Sequence, residues 1–291
     1  QMQHDFEDIE IKSNALELLE QALIRKRHRC MIGTGSMTDP YLPLPEARIY
    51  TRRALELIAR YRFGLSILTK SADILQDIDL LEQIHRQAKC VVQMTLTTYD
   101  DTLCRIIEPG VCPTSERLAA LRELHQRGIP TIVWLTPILP FINDTAQNIQ
   151  GLLESCQQAG VYGIIHFGMG LTLREGNREY YYRQLDLHFP GLRRIYEQKY
   201  GLSYEIFSPY HRQLTQLFYK LVKNMIWKQI KMFFFNFADI YICSGEQTAI
   251  TPAAMYDDMV KTFQKNGAYY VEKPEEINAL RDCIFPGGKM N

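Results

Sequence analysis

Two hydrophobic periods alternate along this chain. Between residues 11 and 167, stretches with an apolar side chain at every third or fourth position give way repeatedly to short runs that are apolar and β-branched throughout. The first pattern is that of amphipathic helices, the second that of strands buried on both faces. Ile11, Ala15, Leu18, Leu19, Ala22 and Leu23 share one helical face, so residues 14–29 read as a helix with Ser13 or Asn14 as its cap and a basic C-terminal tail at 25–29. A strand at 30–34 follows, then a turn rich in Gly, Ser, Thr and Pro, within the stretch 31–46 that reads MIGTGSMTDPYLPLPE. A helix from 46 or 48 to 61, terminated by Gly64, completes the unit.

The unit then recurs. Strand 65–68 precedes a helix at 73–87; strand 91–96 precedes a helix at 114–126 closed by Gly128; strand 131–135 precedes a helix at 145–158 that ends at Gly160, with strand 162–167 after it. Successive βα units with short connections predict a parallel sheet, and right-handed crossovers curl it. The expected fold class is α/β, a partial TIM-like (β/α) barrel with parallel strands and helices outside. A doubly wound open sheet is the competitor, but it commonly opens on a Gly-rich phosphate fingerprint, and this chain has GTGS in place of G-x-G-x-x-G or a P-loop. From Arg178 an aromatic and basic stretch predicts helices after the last strand. A Lys-, Met- and Phe-rich run at 223–237 breaks the amphipathic pattern, and 252–280 reads as helix, short strand, helix. The chain therefore divides into 1–222, the barrel, and 223–291, a segment with no pattern linking it to the barrel.

Composition changes this picture little. Lys plus Arg and Asp plus Glu each number 33, so nothing global favours a polyanion, and a basic groove would have to be local. No apolar run reaches the length of about 18 residues that a membrane span needs, and no secretory leader opens the sequence, which reads as cytoplasmic with no membrane partner. The seven cysteines, at 30, 90, 104, 112, 156, 243 and 283, form neither CxxC nor CxxxCxxC. They read as buried thiols, with only Cys104 and Cys112, near a loop, available for chemistry.

Candidate chemistry gathers at the strand ends, where ligands bind in α/β folds. Lys70 and Ser71 place an ammonium and a hydroxyl after the second strand. Thr95, Thr97 and Thr98 repeat the placement one unit later, where strand propensity alone would also explain them. Asp39-Pro40-Tyr41 fixes an extended Asp and a projecting Tyr. Asn143-Asp144 reads as the cap of the helix beginning at 145. Arg105 and Glu108 lie in a loop that meets the rim, where charged pairs are usually solvated.

The series GSMTDPYLPLPE, TRRALELI, LTKSADILQDIDLL, CVVQMTLTTYDDTLCRIIEP, GIPTIVWLTPILPFINDT, YGIIHFGMGLTLREGNREYYY and SYEIFSP, in this order over residues 5–222, resembles the spore photoproduct lyase-like family of radical S-adenosylmethionine (radical SAM) proteins. That resemblance implies a partial barrel of radical SAM type. It implies S-adenosylmethionine and a 4Fe-4S cluster as cofactors, the cluster held on CxxxCxxC and cleaving S-adenosylmethionine to a 5′-deoxyadenosyl radical. It implies an electron donor protein as partner and, by analogy alone, a nucleic-acid substrate such as damaged DNA. Catalytic residues stay unassigned.

Matched residue by residue, Lys70 and Ser71 would lie near the methionyl carboxylate, Thr95 and Thr97 would supply hydroxyls on the next strand, and Asp39, Tyr41 and Glu46 would face the same mouth. The sequence opens at Gln1 without the cysteine spacing and departs from the family past 222, as a frame error near Lys223 would produce. The chain as given is therefore expected not to hold the cluster in the family's way, and to show an unpaired sheet edge beside Met31. Three readings follow: a radical enzyme, an inactive truncated member, and a TIM-barrel lyase or hydrolase using Lys70 as base or Schiff-base nucleophile. Arg174, Arg178, Tyr180 to Arg183, Arg193 and Arg194 would hold bases if they form a surface, and a core if they do not.

Overall fold

The computed structural model describes residues 9, 11–174 and 176–225. The expectations for 226–291 lie outside these residues.

Helix α1 (Ala15–Arg25) leads to strand β1 (Met31–Thr34), α2 (Pro45–Arg60), β2 (Gly64–Thr69), a 3₁₀ segment (Ala72–Asp77) that runs into α3 (Ile78–Ala88), and β3 (Cys90–Thr95). Then come α4 (Asp101–Ile107), α5 (Thr114–Gln126), β4 (Thr131–Trp134), α6 (Ala146–Gln158) and β5 (Gly163–Ile165). The strands form one sheet in the order β1-β2-β3-β4-β5, each neighbour parallel. Sequence order equals spatial order because each helical crossover returns the chain one strand further along. Among the described residues β1 and β5 are its edges.

Residues paired across parallel strands point the same way. Leu65, Ile67, Val92, Met94, Val133 and Leu135 thus share a face, packed against Leu55, Ile58, Leu81, Ile84, Leu121, Leu124, Leu152 and Leu153 of the helices. Each such side chain contributes about 1.5–3 kcal/mol on burial. The opposite face differs in character. Met31, Val91 and Ile132, near the strands' N-terminal ends, form a small apolar cluster with Trp134, Tyr162 and Ile165. Above them, Gln93 donates from Nε2 to Ser66 Oγ (2.5 Å) and accepts at Oε1 from Trp134 Nε1 (2.5 Å). These polar side chains interrupt otherwise apolar strands, and only a sheet with two dissimilar faces accommodates them.

Beyond β5, strands β6 (Gly170–Thr172) and β7 (Glu205–Phe207) pair antiparallel around helices α7 (Asn177–His188) and α8 (Leu192–Tyr200). This pair was not legible in the sequence, since three-residue strands carry no periodicity. Its core holds Leu173, Tyr182, Leu185, Tyr196 and Ile206. The aromatic run is therefore core at these positions, and Arg178 is buried, donating to the carbonyls of Leu173, Gly201, Leu202 and Ser203. The base-holding alternative loses Arg178 and Tyr182 for that reason. Helix α9 (His211–Met225) packs on α6 and adds Leu214, Phe218 and Val222 to the main core.

Several boundaries move. Helix α1 stops at Arg25 because Lys26 is extended, and Arg29 turns back to donate to the Tyr61 carbonyl. Gly64 does not end α2: Arg62 takes the left-handed turn (φ +57°), while Gly64 opens β2 under Met31, whose Sδ would lie 2.1 Å from an added Cβ. The helix expected from 73 starts as the 3₁₀ segment, because Ser71 Oγ accepts from the Asp73 amide and caps it there. Neither Asn143 nor Asp144 caps α6; Thr145 does, accepting from the Asn148 amide. Among the described residues no helix is long and apolar enough to cross a membrane.

Candidate functional site

The C-terminal ends of β1, β2 and β3 and the segments after them form the candidate site. Asp39, extended before Pro40, turns its carboxylate back onto the end of β2. Oδ1 accepts from Thr69 Oγ1 (2.7 Å) and the Tyr41 amide (2.9 Å), and Oδ2 accepts from the Lys70 amide (2.7 Å). The loop after β1 approaches β2 closely enough that Gly35, at φ +94°, would drive an added Cβ to 1.8 Å from the Leu68 carbonyl oxygen. Cys112 holds the other side of Lys70, its Sγ donating to the Lys70 carbonyl (3.2 Å) and accepting from the Ala72 amide (3.3 Å).

The Lys70 ammonium meets Glu108 Oε1 at 2.6 Å. Glu108 follows α4, a helix in the stretch read as a loop, which Asp100 caps by accepting from the Thr102 amide. The other oxygen of Glu108 accepts from Thr97 Oγ1 (2.8 Å) and Arg117 Nη2 (2.9 Å). Arg117 is wholly buried; Nε donates to the Cys112 carbonyl (2.8 Å), Nη1 to the Thr95 carbonyl (2.7 Å), and Nη2 also reaches Cys104 Sγ (3.1 Å). Burial opposes ionisation of Glu108. The charges of Lys70 and Arg117, with hydrogen bonds from Lys70 and Thr97, outweigh it and hold the carboxyl below its ordinary range. The Glu108 side chain is 7% exposed, that of Arg117 0% and that of Lys70 36%, so of these three residues Lys70 is the one that reaches solvent.

Lys70, Thr97 and Asp39 thus meet at the rim, and Thr95 enters through its backbone carbonyl. Tyr41 does not face the mouth. It is 5% exposed and donates to Asp77 Oδ2 (3.1 Å), because its ring fills the core beneath the loop; burial, then Asp77, pushes its phenol up. Ser71 caps the 3₁₀ segment, and Glu46 is exposed in the first turn of α2. Cys104 is buried on α4, and Cys112 is half-buried with its thiol bonded and pushed up by burial, so neither is available as expected. Glu108 and Arg117 were missed as a pair. The signal was Arg117 on an apolar helical face, where an uncompensated guanidinium is too costly to bury.

No set of His, Cys, Asp or Glu side chains among the described residues could hold a metal ion. Cys90, Cys104 and Cys156 are buried and separate from one another in the sheet and helices. The described residues do not fit an iron–sulfur cluster. A carboxylate-bearing ligand fits better, since a held ammonium with two remaining N–H donors reaches solvent at Lys70.

A parallel sheet of this order, with a charged rim at the strands' C-terminal ends, is a fold found among solved proteins. Among solved structures, spore photoproduct lyase in a complex with AdoMet and dinucleoside spore photoproduct matches with a TM-score of 0.51 at 13% identity, over 72% of this chain and 63% of that one. The shared fold is what that match shows. No family model matches. Among curated proteins, an uncharacterized protein of Mycobacterium tuberculosis is 28% identical over 198 residues, 67% of this chain and 58% of its own length. A radical SAM Nα-GlyT isomerase of Pseudomonas phage M6 is 25% identical over 152 residues, 52% of this chain and 31% of its own. The chain spans about half the length of most curated relatives it matches.

Proposed function

We propose that this chain is the barrel of a radical SAM enzyme of the spore photoproduct lyase-like type, and that its rim binds the amino-acid end of S-adenosylmethionine. The observation that carries this reading is Lys70: an ammonium fixed from its amide, its carbonyl and its Nζ at the end of β2, in a fold shared with a protein solved with AdoMet. On this reading Lys70 donates to the methionyl carboxylate, while Asp39 and Cys112 keep its backbone in place. On this reading S-adenosylmethionine would supply the 5′-deoxyadenosyl radical, with a 4Fe-4S cluster and an electron donor protein that the described residues do not themselves provide. A nucleic-acid substrate is carried only by the dinucleoside in that neighbour. The Schiff-base lyase reading is weakened by the ion pair, since Glu108 Oε1 occupies a place 2.6 Å from the nitrogen that would have to attack a carbonyl.

The test is calorimetric titration of S-adenosylmethionine. Lys70→Ala should weaken binding by about 1.5–3 kcal/mol, the range of a charge-assisted hydrogen bond. Lys70→Arg should restore it only in part, since a planar fork does not fit a place shaped for a point charge. Equal affinity in wild type and Lys70→Ala would remove Lys70 from the site.

A further inference from the structure

We infer that Glu108 is a specificity-determining residue of the rim, and that it makes the Lys70 site select a singly charged carboxylate over a doubly charged phosphate. The inference rests on the Lys70 reading above for the place of binding and goes beyond it in the class of ligand admitted. Two cations and two carboxylates meet there. Arg117 is wholly buried with its donors directed to the Cys112 and Thr95 carbonyls, Cys104 and Glu108, so it offers nothing to a ligand. Asp39 lies on the Lys70 amide and Glu108 on its ammonium, 2.7 and 2.6 Å away. A ligand anion therefore meets one ammonium already held by one fixed carboxylate, that of Glu108, while Asp39 occupies the amide at the base of the same residue. One carboxylate can share that ammonium with Glu108, because Nζ has three donors. A second negative charge on the same ligand gains no further cation and is repelled by a carboxylate that Thr97 and Arg117 prevent from moving away. Phosphate-binding rims commonly place several cations or free backbone amides around the anion. Here the Lys70 amide, which would be such a donor, is already taken by Asp39.

The experiment compares S-adenosylhomocysteine, whose zwitterionic tail carries one carboxylate and one ammonium, with adenosine 5′-monophosphate, whose tail carries a dianion, by calorimetry at pH 8, the simple anions below separating the carboxylate from the ammonium. Wild type should prefer the carboxylate, and Glu108→Gln should shift the affinity ratio toward the monophosphate by about tenfold or more, as removal of a like charge requires. Lys70→Ala should lower both. A ratio unchanged in a folded Glu108→Gln protein overturns the inference. If Glu108→Gln does not fold, Glu108→Gln/Arg117→Met removes both members of the buried pair and should shift the ratio in the same direction; an unchanged ratio there overturns it equally. A second measurement needs no adenosyl binding: protection of Lys70 from a succinimidyl ester, read by peptide mass spectrometry, with acetate or inorganic phosphate as the competing anion at constant ionic strength. Acetate should protect wild type better than phosphate, and Glu108→Gln should reverse the order. Failure of wild type to bind S-adenosylhomocysteine would count against the proposed function while this order still tests Glu108, and protection by neither anion, or the same order in both proteins, overturns the inference.

Discussion

Replacing Arg117 by Met retains most of the aliphatic stem and removes the guanidinium, so it reads the worth of the buried charges directly. Four contacts are lost, the weakest of them that to Cys104 Sγ at 3.1 Å. The Cys112 and Thr95 carbonyls lose their donors at 2.8 and 2.7 Å, and Glu108 loses the cation at 2.9 Å. Glu108 would remain bound to Thr97 and to the partly solvated Lys70, a weaker arrangement for a carboxylate 7% exposed. Breaking a buried pair from one side costs about 3–5 kcal/mol, and the Lys70 contact should keep Arg117→Met near the lower end, about 3 kcal/mol. Glu108→Gln leaves the converse, a buried guanidinium facing an amide, at a similar cost. The double variant leaves no stranded charge and should be less destabilised than the sum of the singles by about 1–3 kcal/mol. Urea unfolding at pH 7 with an unchanged m-value measures all three. Single-site losses below about 1 kcal/mol, or strict additivity, would refute the claim that these charges depend on one another.

Other outcomes follow from single observations. Gly35→Ala combines a left-handed φ of +94° with a Cβ 1.8 Å from the Leu68 carbonyl oxygen, and since that atom is backbone the loss should exceed about 2 kcal/mol in the same unfolding assay. His166, at the end of β5 beside Phe218, has its pKa lowered from 6.5 to about 4 by burial and then by His211, so the unfolded chain takes up a proton before the folded one does. Its contribution is complete above pH 6.5 and lost as pH falls through 4, a change of about 3 kcal/mol that a His166→Phe variant should not show. Asn143 accepts from the Leu139 amide and donates to the Thr97 carbonyl while buried, so Asn143→Ala should cost about 2–4 kcal/mol in urea unfolding, and a loss under 1 would mean the loop relaxes around it. Maleimide mapping by mass spectrometry should leave Cys90, Cys104 and Cys156 unlabelled in the native protein and labelled in urea.

Much of the fold was decided locally. A βα unit announces itself because a strand buried on both faces has a different hydrophobic period from the helix that covers it, and the described sheet follows the order in which those periods occur. Lys70 was legible as a rim residue for the same reason: it is the first charged position after an apolar strand. Its partners were not. Glu108 and Arg117 lie 38 and 47 positions further on and reach it only through α4 and α5, and nothing in a linear pattern marks α4, a helix of seven residues. Asp39 and Tyr41 show the same limit within one motif. Three residues of sequence fixed an extended turn, but whether each side chain turned to the rim or to the core depended on what lay beneath the loop: the end of β2 under Asp39, and Asp77 under Tyr41. The sequence by itself determined where strands end and which of them could carry charge, because periodicity and propensity act over neighbouring residues. Tertiary structure alone decided which charges meet, because burying a guanidinium and a carboxylate is favourable only when distant segments bring them within hydrogen-bond reach of each other.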